Sequence, residues 1–316
     1  MKILDVITCI ANPTPWKSRT ALARTVIPKW LEEQNVRVTL IEVAYGDRDY
    51  ELTDLAQGND RIRYIQTKAF TPVWSKEMCW NLGVIHAPHD AQHFMFADAD
   101  IIYRKRGWAK EVIFALGLYP LVHPWSTCYD LGPNDNHVQV HRSFGKLYRE
   151  GKPVTPSDGK WWTHDGGPYE YSHTGYALAM TRQTYDHIGG IFDLGAMGSG
   201  DHHFFYASIG EAHKSVPEGV HPNYVHALNA YQGRLLTHVG KKIGYVPFDI
   251  EHLHHGPKRM RGYNTRWKIF TDHRFDPFVD LRPNSYGLKD FSGNKPDMEY
   301  EWDAYLRSRM EDANIE

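Results

Sequence analysis

A chain of 316 residues is long enough for one large domain or two small ones, and its formal net charge of −2 points to no nucleic-acid partner. Three cysteines, Cys9, Cys79 and Cys128, form no CxxC or zinc spacing and leave an odd thiol, which fits a reducing cytosol better than a disulfide framework. No apolar stretch approaches the length of a membrane span, and Met1-Lys2-Ile3-Leu4-Asp5 carries an acid where a signal peptide would be apolar, so a cytoplasmic protein is expected.

Lys2 to Ile10 is apolar and β-branched and predicts a strand, broken by Asn12-Pro13-Thr14-Pro15. Lys17 to Glu33 predicts a helix with Leu22, Val26, Ile27, Trp30 and Leu31 on one side. Val36 to Val43 alternates and predicts a second strand, with Glu42 at its end. A polar loop to Asp60 precedes a strand at Ile62 to Ile65. Ser75 to His86 predicts a helix, with Ser75 as N-cap and Met78, Leu82 and Ile85 at helical spacing. The run His93-Phe94-Met95-Phe96-Ala97 predicts a buried strand that ends at Asp98 and Asp100, with the apolar pair Ile101-Ile102 beyond. Gly107 to Leu116 predicts a helix and Tyr119 to His123 a strand. This alternation predicts an α/β fold, a mostly parallel central sheet with helices on both faces. Ligands in such sheets lie outside the carboxyl ends of the strands, where Thr8, Glu42 and Asp98 fall.

Residues 126–171 break the rhythm and are rich in Gly, Pro, Asp, His and Trp. They are expected to form an insertion, with Trp161 and Trp162 in its middle, that acts as a functional lid; the plain alternative is a surface loop. Regular structure resumes at Gly175 to Met180, with a helix to Ile188 and a turn at Gly189-Gly190. Asp201 to Ile209 predicts a helix, Ile243 to Leu253 a strand, Arg261 to Phe270 a basic helix and Tyr300 to Met310 a late helix. One domain over 1–274 with a C-terminal extension, 275–316, packed on it is the expected organisation.

Three clusters carry chemistry. Asp98 and Asp100 share a face at a strand end, and two carboxylates held together repel unless a cation lies between them. Oxygen ligands of this kind suit Mg²⁺ or Mn²⁺, which suit a diphosphate. Asp201 follows a glycine-rich turn at a helix start, where it is either projected into a cleft or a plain N-cap. His252 and His254 share a strand face, with His255 at the turn; imidazole suits Mn²⁺ better than Mg²⁺. From Arg234 to Arg274 nine Lys/Arg stand against three Asp/Glu, and Arg261 and Arg266 sit where cations would offset the charge of a diphosphate leaving group. A solvated basic face or a nucleic-acid surface are the rivals. No GxxxxGK[ST] loop, no GxGxxG after the first strand, no GxSxG elbow and no HExxH helix is present.

In order, Trp74-Ser75-Lys76-Glu77 with Asn81-Leu82-Gly83, Phe96-Ala97-Asp98-Ala99-Asp100-Ile101, Gly198-Ser199-Gly200-Asp201, His252-Leu253-His254-His255-Gly256 and Arg261-Gly262-Tyr263-Asn264-Thr265-Arg266 resemble the nucleotide-sugar glycosyltransferases of the GT-A fold. The resemblance is to the family-2-like and galactosyltransferase-like branches, bacterial and phage members included. It runs from about Ile3 to Arg274 and weakens in the insertion. It implies a Rossmann-like GT-A sheet and a metal-dependent transfer of a sugar from a nucleotide-diphosphate donor, a UDP-sugar first, to an acceptor hydroxyl. Mn²⁺ or Mg²⁺ would be the cofactor. By resemblance, Asp100 is the main metal ligand, Asp98 contacts the ribose and the metal shell, and His255, or else His252, completes the metal site. Glu42 and Lys76 fall near the nucleoside, and Asp201 is the base of an inverting enzyme. Related enzymes often carry Glu-Asp where this chain has Gly200-Asp201-His202, which leaves His202 as a second candidate. The expected acceptor is a glycan or other small hydroxylated molecule, with the 126–171 insertion as acceptor-side lid and Trp161 and Trp162 as a sugar-stacking surface, or a hydroxymethylated base of phage DNA, which would have to be flipped out. The non-enzyme alternative is a carbohydrate-binding protein that uses the aromatics alone.

Overall fold

A computed structural model describes residues 2–155, 172–262 and 265–314; the expectations placed on Trp161, Trp162, Tyr263 and Asn264 lie outside the described residues. The chain opens with β1 (Leu4–Ala11), α1 (Lys17–Trp30), β2 (Val36–Tyr45), a short α2 (Thr53–Ala56), β3 (Ile62–Ala69) and α3 (Lys76–Ile85). Next come β4 (His93–Ala97), β5 (Ile101–Tyr103), α4 (Trp108–Leu116), β6 (Leu121–His123), β7 (Thr127–Leu131), β8 (His137–Arg142) and α5 (Phe144–Arg149). After the undescribed stretch follow β9 (Ala177–Thr181), α6 (Arg182–Ile188), α7 (Gly200–Ile209), α8 (Pro222–His238), β10 (Ile243–Tyr245) and β11 (Asp249–His252). The chain closes with α9 (Arg266–Asp272), β12 (Leu281–Pro283), β13 (Lys289–Phe291) and α10 (Pro296–Ser308).

Among the described residues a seven-stranded sheet runs in the order β10-β6-β9-β4-β1-β2-β3. Its members β3, β2, β1 and β4 are parallel, as are β10 and β6, and β9 alone runs against its neighbours. The period of two along each strand divides the apolar residues between two cores. On β4, Phe94 and Phe96 join the core under α3, α7, α8 and α10, whereas Met95 and Ala97 join the core under α1 and α4. Helices thus cover both faces, as the β/α alternation predicts.

Four segments differ from their sequence expectations. Residues 127–142 are a β7–β8 hairpin rather than a loop, and with β5 and β11 they form a second sheet in the order β5-β11-β7-β8. The strand pattern was obscured because β8 is mostly exposed and carries polar residues. The predicted strand from Ile243 to Leu253 is two strands in two sheets, separated at Pro247, which cannot donate a ladder hydrogen bond. The basic helix is interrupted at Gly262, which has φ 51°, and α9 begins only at Arg266. The α8 helix has no counterpart in the expectations, although Tyr224, Leu228, Tyr231 and Leu235 make a buried stripe at helical spacing and Pro222 opens it.

The C-terminal segment is tied across the molecule. Asp290 accepts from the amides of Phe70 and Thr71 at 2.8 and 2.9 Å, and the indole of Trp302 donates to the carbonyl of Pro72 at 2.7 Å. Cys9, Cys79 and Cys128 are free thiols. No helix among the described residues is long and apolar enough to cross a membrane.

Gly83 lets α3 lie directly on the sheet, since a Cβ there would stand 2.5 Å from Ile7 Cγ2 and 2.9 Å from Ile41 Cδ1. Both neighbours are β-branched and packed from the other side, so neither yields cheaply. Gly83→Val is expected to cost about 1–3 kcal/mol of stability in urea unfolding. An unchanged midpoint would mean that α3 does not sit this close.

Candidate active site and metal centre

The site forms where the chain leaves one sheet for the other. β4 ends at Ala97 in the main sheet, and β5 starts at Ile101, paired antiparallel with β11 so that Ile101 lies opposite His252. Asp98, Ala99 and Asp100 bridge that seam. The amide of Asp98 donates to the carbonyl of Tyr176 at 2.8 Å, and the carbonyl of Asp100 accepts from the amide of Leu253 at 2.8 Å. Both ends of the acidic turn are therefore pinned by backbone.

The two acids then part company. Asp98 Oδ1 is 3.2 Å from Nζ of Lys76, the first residue of α3. Burial raises the Asp98 carboxyl, with Lys76 opposing that shift and Asp100 adding to it. Asp100, 7% exposed, faces two imidazoles instead: its Oδ2 is 3.2 Å from Nε2 of His255 and 3.6 Å from Nε2 of His252. Burial opposes its charge, yet the two histidines outweigh that and hold it well below the ordinary carboxylate range. Its Oδ1 is buried and finds no hydrogen-bond partner among the described residues.

Each imidazole has a carboxylate behind it. Nδ1 of His252 is 2.5 Å from Asp130 Oδ1, and Nδ1 of His255 is 3.4 Å from Glu311 Oε2. Glu311 is held by the guanidinium groups of Arg19 and Arg309, each at 2.8 Å, and its neighbour Asp312 caps α1 through the amides of Lys17 and Ser18. The turn at Gly256, with φ 77°, admits this tail, because a Cβ there would stand 2.6 Å from the carbonyl oxygen of Met310. Burial, Arg261 and Arg19 push the His255 imidazole down to about 4, so it is neutral at pH 7 and keeps a lone pair. The Nε2 atoms of His252 and His255 lie 3.3 Å apart, and one ligand atom each from Asp100, His252 and His255 fall within 4.8 Å of one another. Two imidazole nitrogens and one carboxylate oxygen fit a divalent cation with borderline character.

These residues line a cavity of about 200 Å³ beyond the carboxyl ends of β1 and β4. Pro13, Trp16 and Tyr45 supply apolar wall and Arg19, Arg261, Arg266 and Arg309 supply cations; Lys258, pushed down to about 7 by burial and Arg261, lies beside Ser172, His173, Tyr176, Asp201 and His202. Arg261 Nη2 is 3.1 Å from His255 Nε2, and Arg266 Nη2 donates to Ser199 Oγ at 2.9 Å. Asp201 lies in the first turn of α7, after Gly198 and Ser199 with φ 92° and 67°. Its side chain does not cap the helix: Oδ2 accepts from Thr174 Oγ1 at 3.2 Å, and Oδ1 is 3.9 Å from Nδ1 of His202. Burial opposes its charge, but His202 and Lys76 hold the carboxyl well below its ordinary range. Behind it, Glu77 sits so close to Gly200 that a Cβ there would collide with its Oε1, and burial pushes the Glu77 carboxyl up to about 7.

Lys76, Asp98, Asp100, Asp201, His252, His255, Arg261 and Arg266 therefore share one cleft. Thr8 and Glu42 do not reach it. Thr8 is buried within β1, and Glu42 spends its carboxylate on the amides of Glu51 and Leu52, at 2.6 and 3.0 Å, and on the hydroxyl of Tyr64. Asp98 faces Lys76 and is not among the three grouped ligand atoms. Asp130, Glu311, Arg19 and Arg309 had no local sequence signal. Only recognition of β7 as a strand beside β11 would have brought Asp130 forward.

No protein-family model matches the chain, and no curated protein matches it in sequence. Among solved structures, a mannosyltransferase of Pyrobaculum calidifontis in complex with GDP-Man and Mn²⁺ is similar at 15% identity, over 96% of this chain and 69% of that one, with a TM-score of 0.45. The catalytic domain of Drosophila β1,4-galactosyltransferase 7 in complex with xylobiose is similar at 11% identity, over 95% and 99%, with a TM-score of 0.43. Residues 1–349 of S. aureus TarS in complex with UDP-GlcNAc are similar at 10% identity, over 87% and 69%, with a TM-score of 0.42. Likeness at this level concerns the general course of the backbone, and the ligands in those structures belong to those proteins.

The buried histidines make the fold acid-sensitive. Burial pushes His123, His141 and His203 down to about 3 and, with Arg261 and Arg19, His255 to about 4, each from an ordinary value of 6.5. Below about 6.5 the unfolded chain takes up protons that the folded chain refuses, so stability from these groups is complete above that pH and is lost as pH falls toward 4. In chelator, the urea midpoint is expected to fall steadily from about pH 7 to about pH 4.5. His123→Phe, at a ring stacked on Phe205, should flatten that slope. A flat wild-type profile would mean that these rings are not held neutral.

Proposed function

We propose that the cleft is the active site of a metal-dependent glycosyltransferase that moves a sugar from a nucleotide-diphosphate sugar to an acceptor hydroxyl. The observation that carries this reading is the convergence of Asp100 Oδ2 and the Nε2 atoms of His252 and His255 in the cavity that Arg261 and Asp201 also line. One carboxylate oxygen and two imidazole nitrogens meet there, a donor set that suits a divalent cation in place of the protons they would otherwise share. Two imidazoles in the set favour Mn²⁺ over Mg²⁺. When bound, such an ion would supply Lewis acidity toward the donor's diphosphate.

The chain's own groups do the rest. Arg261, with Arg19 and Arg309 in the same wall, offsets charge that develops on the diphosphate as the glycosidic bond breaks. Trp16 and Tyr45 offer apolar surface for a nucleoside, and a UDP-sugar is the first donor to test. Lys76 holds Asp98 and contributes to keeping Asp201 ionised. Asp201, oriented by Thr174, accepts the proton of the acceptor hydroxyl as that oxygen attacks the anomeric carbon. One displacement of this kind inverts the anomeric centre, with base and leaving group on opposite faces of the sugar. A glycan or other small hydroxylated molecule is the acceptor assigned here, since a net charge of −2 gives no general pull toward DNA.

The test is a mass-spectrometric screen of UDP-sugars with Mn²⁺ against glycans and hydroxymethylated DNA. Transfer is expected to stop in EDTA and return with Mn²⁺. Asp100→Asn should lose metal and donor binding with the fold intact. Asp201→Asn should bind donor nearly normally and turn over roughly a hundred- to ten-thousand-fold more slowly. Full activity in chelator would remove the metal from the mechanism. Near-normal turnover by Asp201→Asn would remove the base, and transfer to hydroxymethylated DNA alone would overturn the acceptor assignment.

A further inference from the structure

Asp130 takes no part in the chemistry above, and it is 1% exposed. It lies on β7 directly beside His252 in the parallel pairing of β7 with β11. Its two oxygens serve different partners. Oδ2 is 2.7 Å from Nε2 of His141 and receives Nζ of Lys258, which also donates to Gln139 Oε1 at 3.0 Å. Oδ1 is 2.5 Å from Nδ1 of His252 and 3.4 Å from the hydroxyl of Tyr176. A counter-ion for Lys258 needs only the first oxygen. The second is committed to His252, at the ring nitrogen remote from Asp100.

That commitment matters because a neutral imidazole has two tautomers, and only the one with its proton on Nδ1 can ligate through Nε2. An ionised carboxylate can only accept, so its hydrogen bond to Nδ1 requires the proton there. We propose that Asp130 is the positioning residue of the metal centre: it fixes His252 in the Nδ1–H tautomer and aims its Nε2 lone pair at the point shared with Asp100 and His255. This rests on the reading of those three residues as metal ligands. Lys258, His141 and Tyr176 hold the carboxylate in turn, and strand pairing sets its height against His252. The β7–β8 hairpin, which also carries Gln139 and His141, is therefore the buttress of the metal centre. His255 lacks an equal brace, since its contact with Glu311 is longer, at 3.4 Å, and its Nδ1 has no aligned hydrogen bond.

Two measurements on the full chain test this. The first is Mn²⁺ binding by loss of the free-ion EPR signal, for wild type and for Asp130→Asn, with circular dichroism as the check on folding. The second is the pair of ¹⁵N shifts of His252 in metal-free wild type. Asp130→Asn keeps the side-chain volume and removes the charge, and its Kd for Mn²⁺ is expected to rise about 10- to 100-fold with the fold retained. The shifts are expected to show a protonated Nδ1 and an unprotonated Nε2. Equal affinities in a folded variant would overturn the proposal. A proton on Nε2 of wild-type His252 would overturn it as well, and that result does not depend on the variant folding. A wild-type chain that binds no Mn²⁺ would overturn the metal reading itself, which separates the two failures.

Discussion

A carboxylate taken out of water costs several kcal/mol unless charge and hydrogen bonds around it compensate. Asp100 is such a group, and its compensation dictates how the two sheets meet. The imidazoles that face it come from β11 and the turn after it, so β11 must lie beside β5. That pairing is possible only because the chain quits the main sheet at Ala97 and bends through Asp98 and Ala99. The strand break, the second sheet and the candidate metal site therefore meet at one buried acid.

Charge in the cleft is sorted rather than cancelled. Lys76 neutralises Asp98 on one side of the seam, while Asp100 is left to the histidines. Burial and the neighbouring guanidiniums keep His255 neutral, so it does not form a simple ion pair with Asp100. Glu311 compensates Arg19 and Arg309 and ties the chain's last described turn to its first helix through Asp312. Residues at both ends of the sequence thus hold the site, and loosening the tail would be felt at His255.

The fold was legible where sequence patterns are local. Alternating β and α segments gave the parallel sheet, and the apolar run before Asp98 gave β4 with its end. Of the candidate residues, Asp98 and Asp100 at the strand end, Asp201 after two glycines, His252 and His255 come together in one cleft, while His254 turns to the carbonyl of Ala313 instead. Thr8 and Glu42 misled because position at a strand end does not say which way a side chain points. Thr8 is fully buried and does not line the cavity, and the loop amides at Glu51 and Leu52 take Glu42. Asp130 and Glu311 were silent because their partners are distant in sequence, and nothing in the few residues around either announces a contact made only after the sheets assemble.

The most direct measurement is anomalous diffraction at the manganese edge from crystals of the full chain soaked with Mn²⁺ and UDP. A single strong peak is expected within ligand distance of Asp100 Oδ2 and the Nε2 atoms of His252 and His255, with the diphosphate toward Arg261. A peak at other residues, or a diphosphate bound in the cleft with no anomalous signal beside it, would contradict the metal centre on which the proposed chemistry depends.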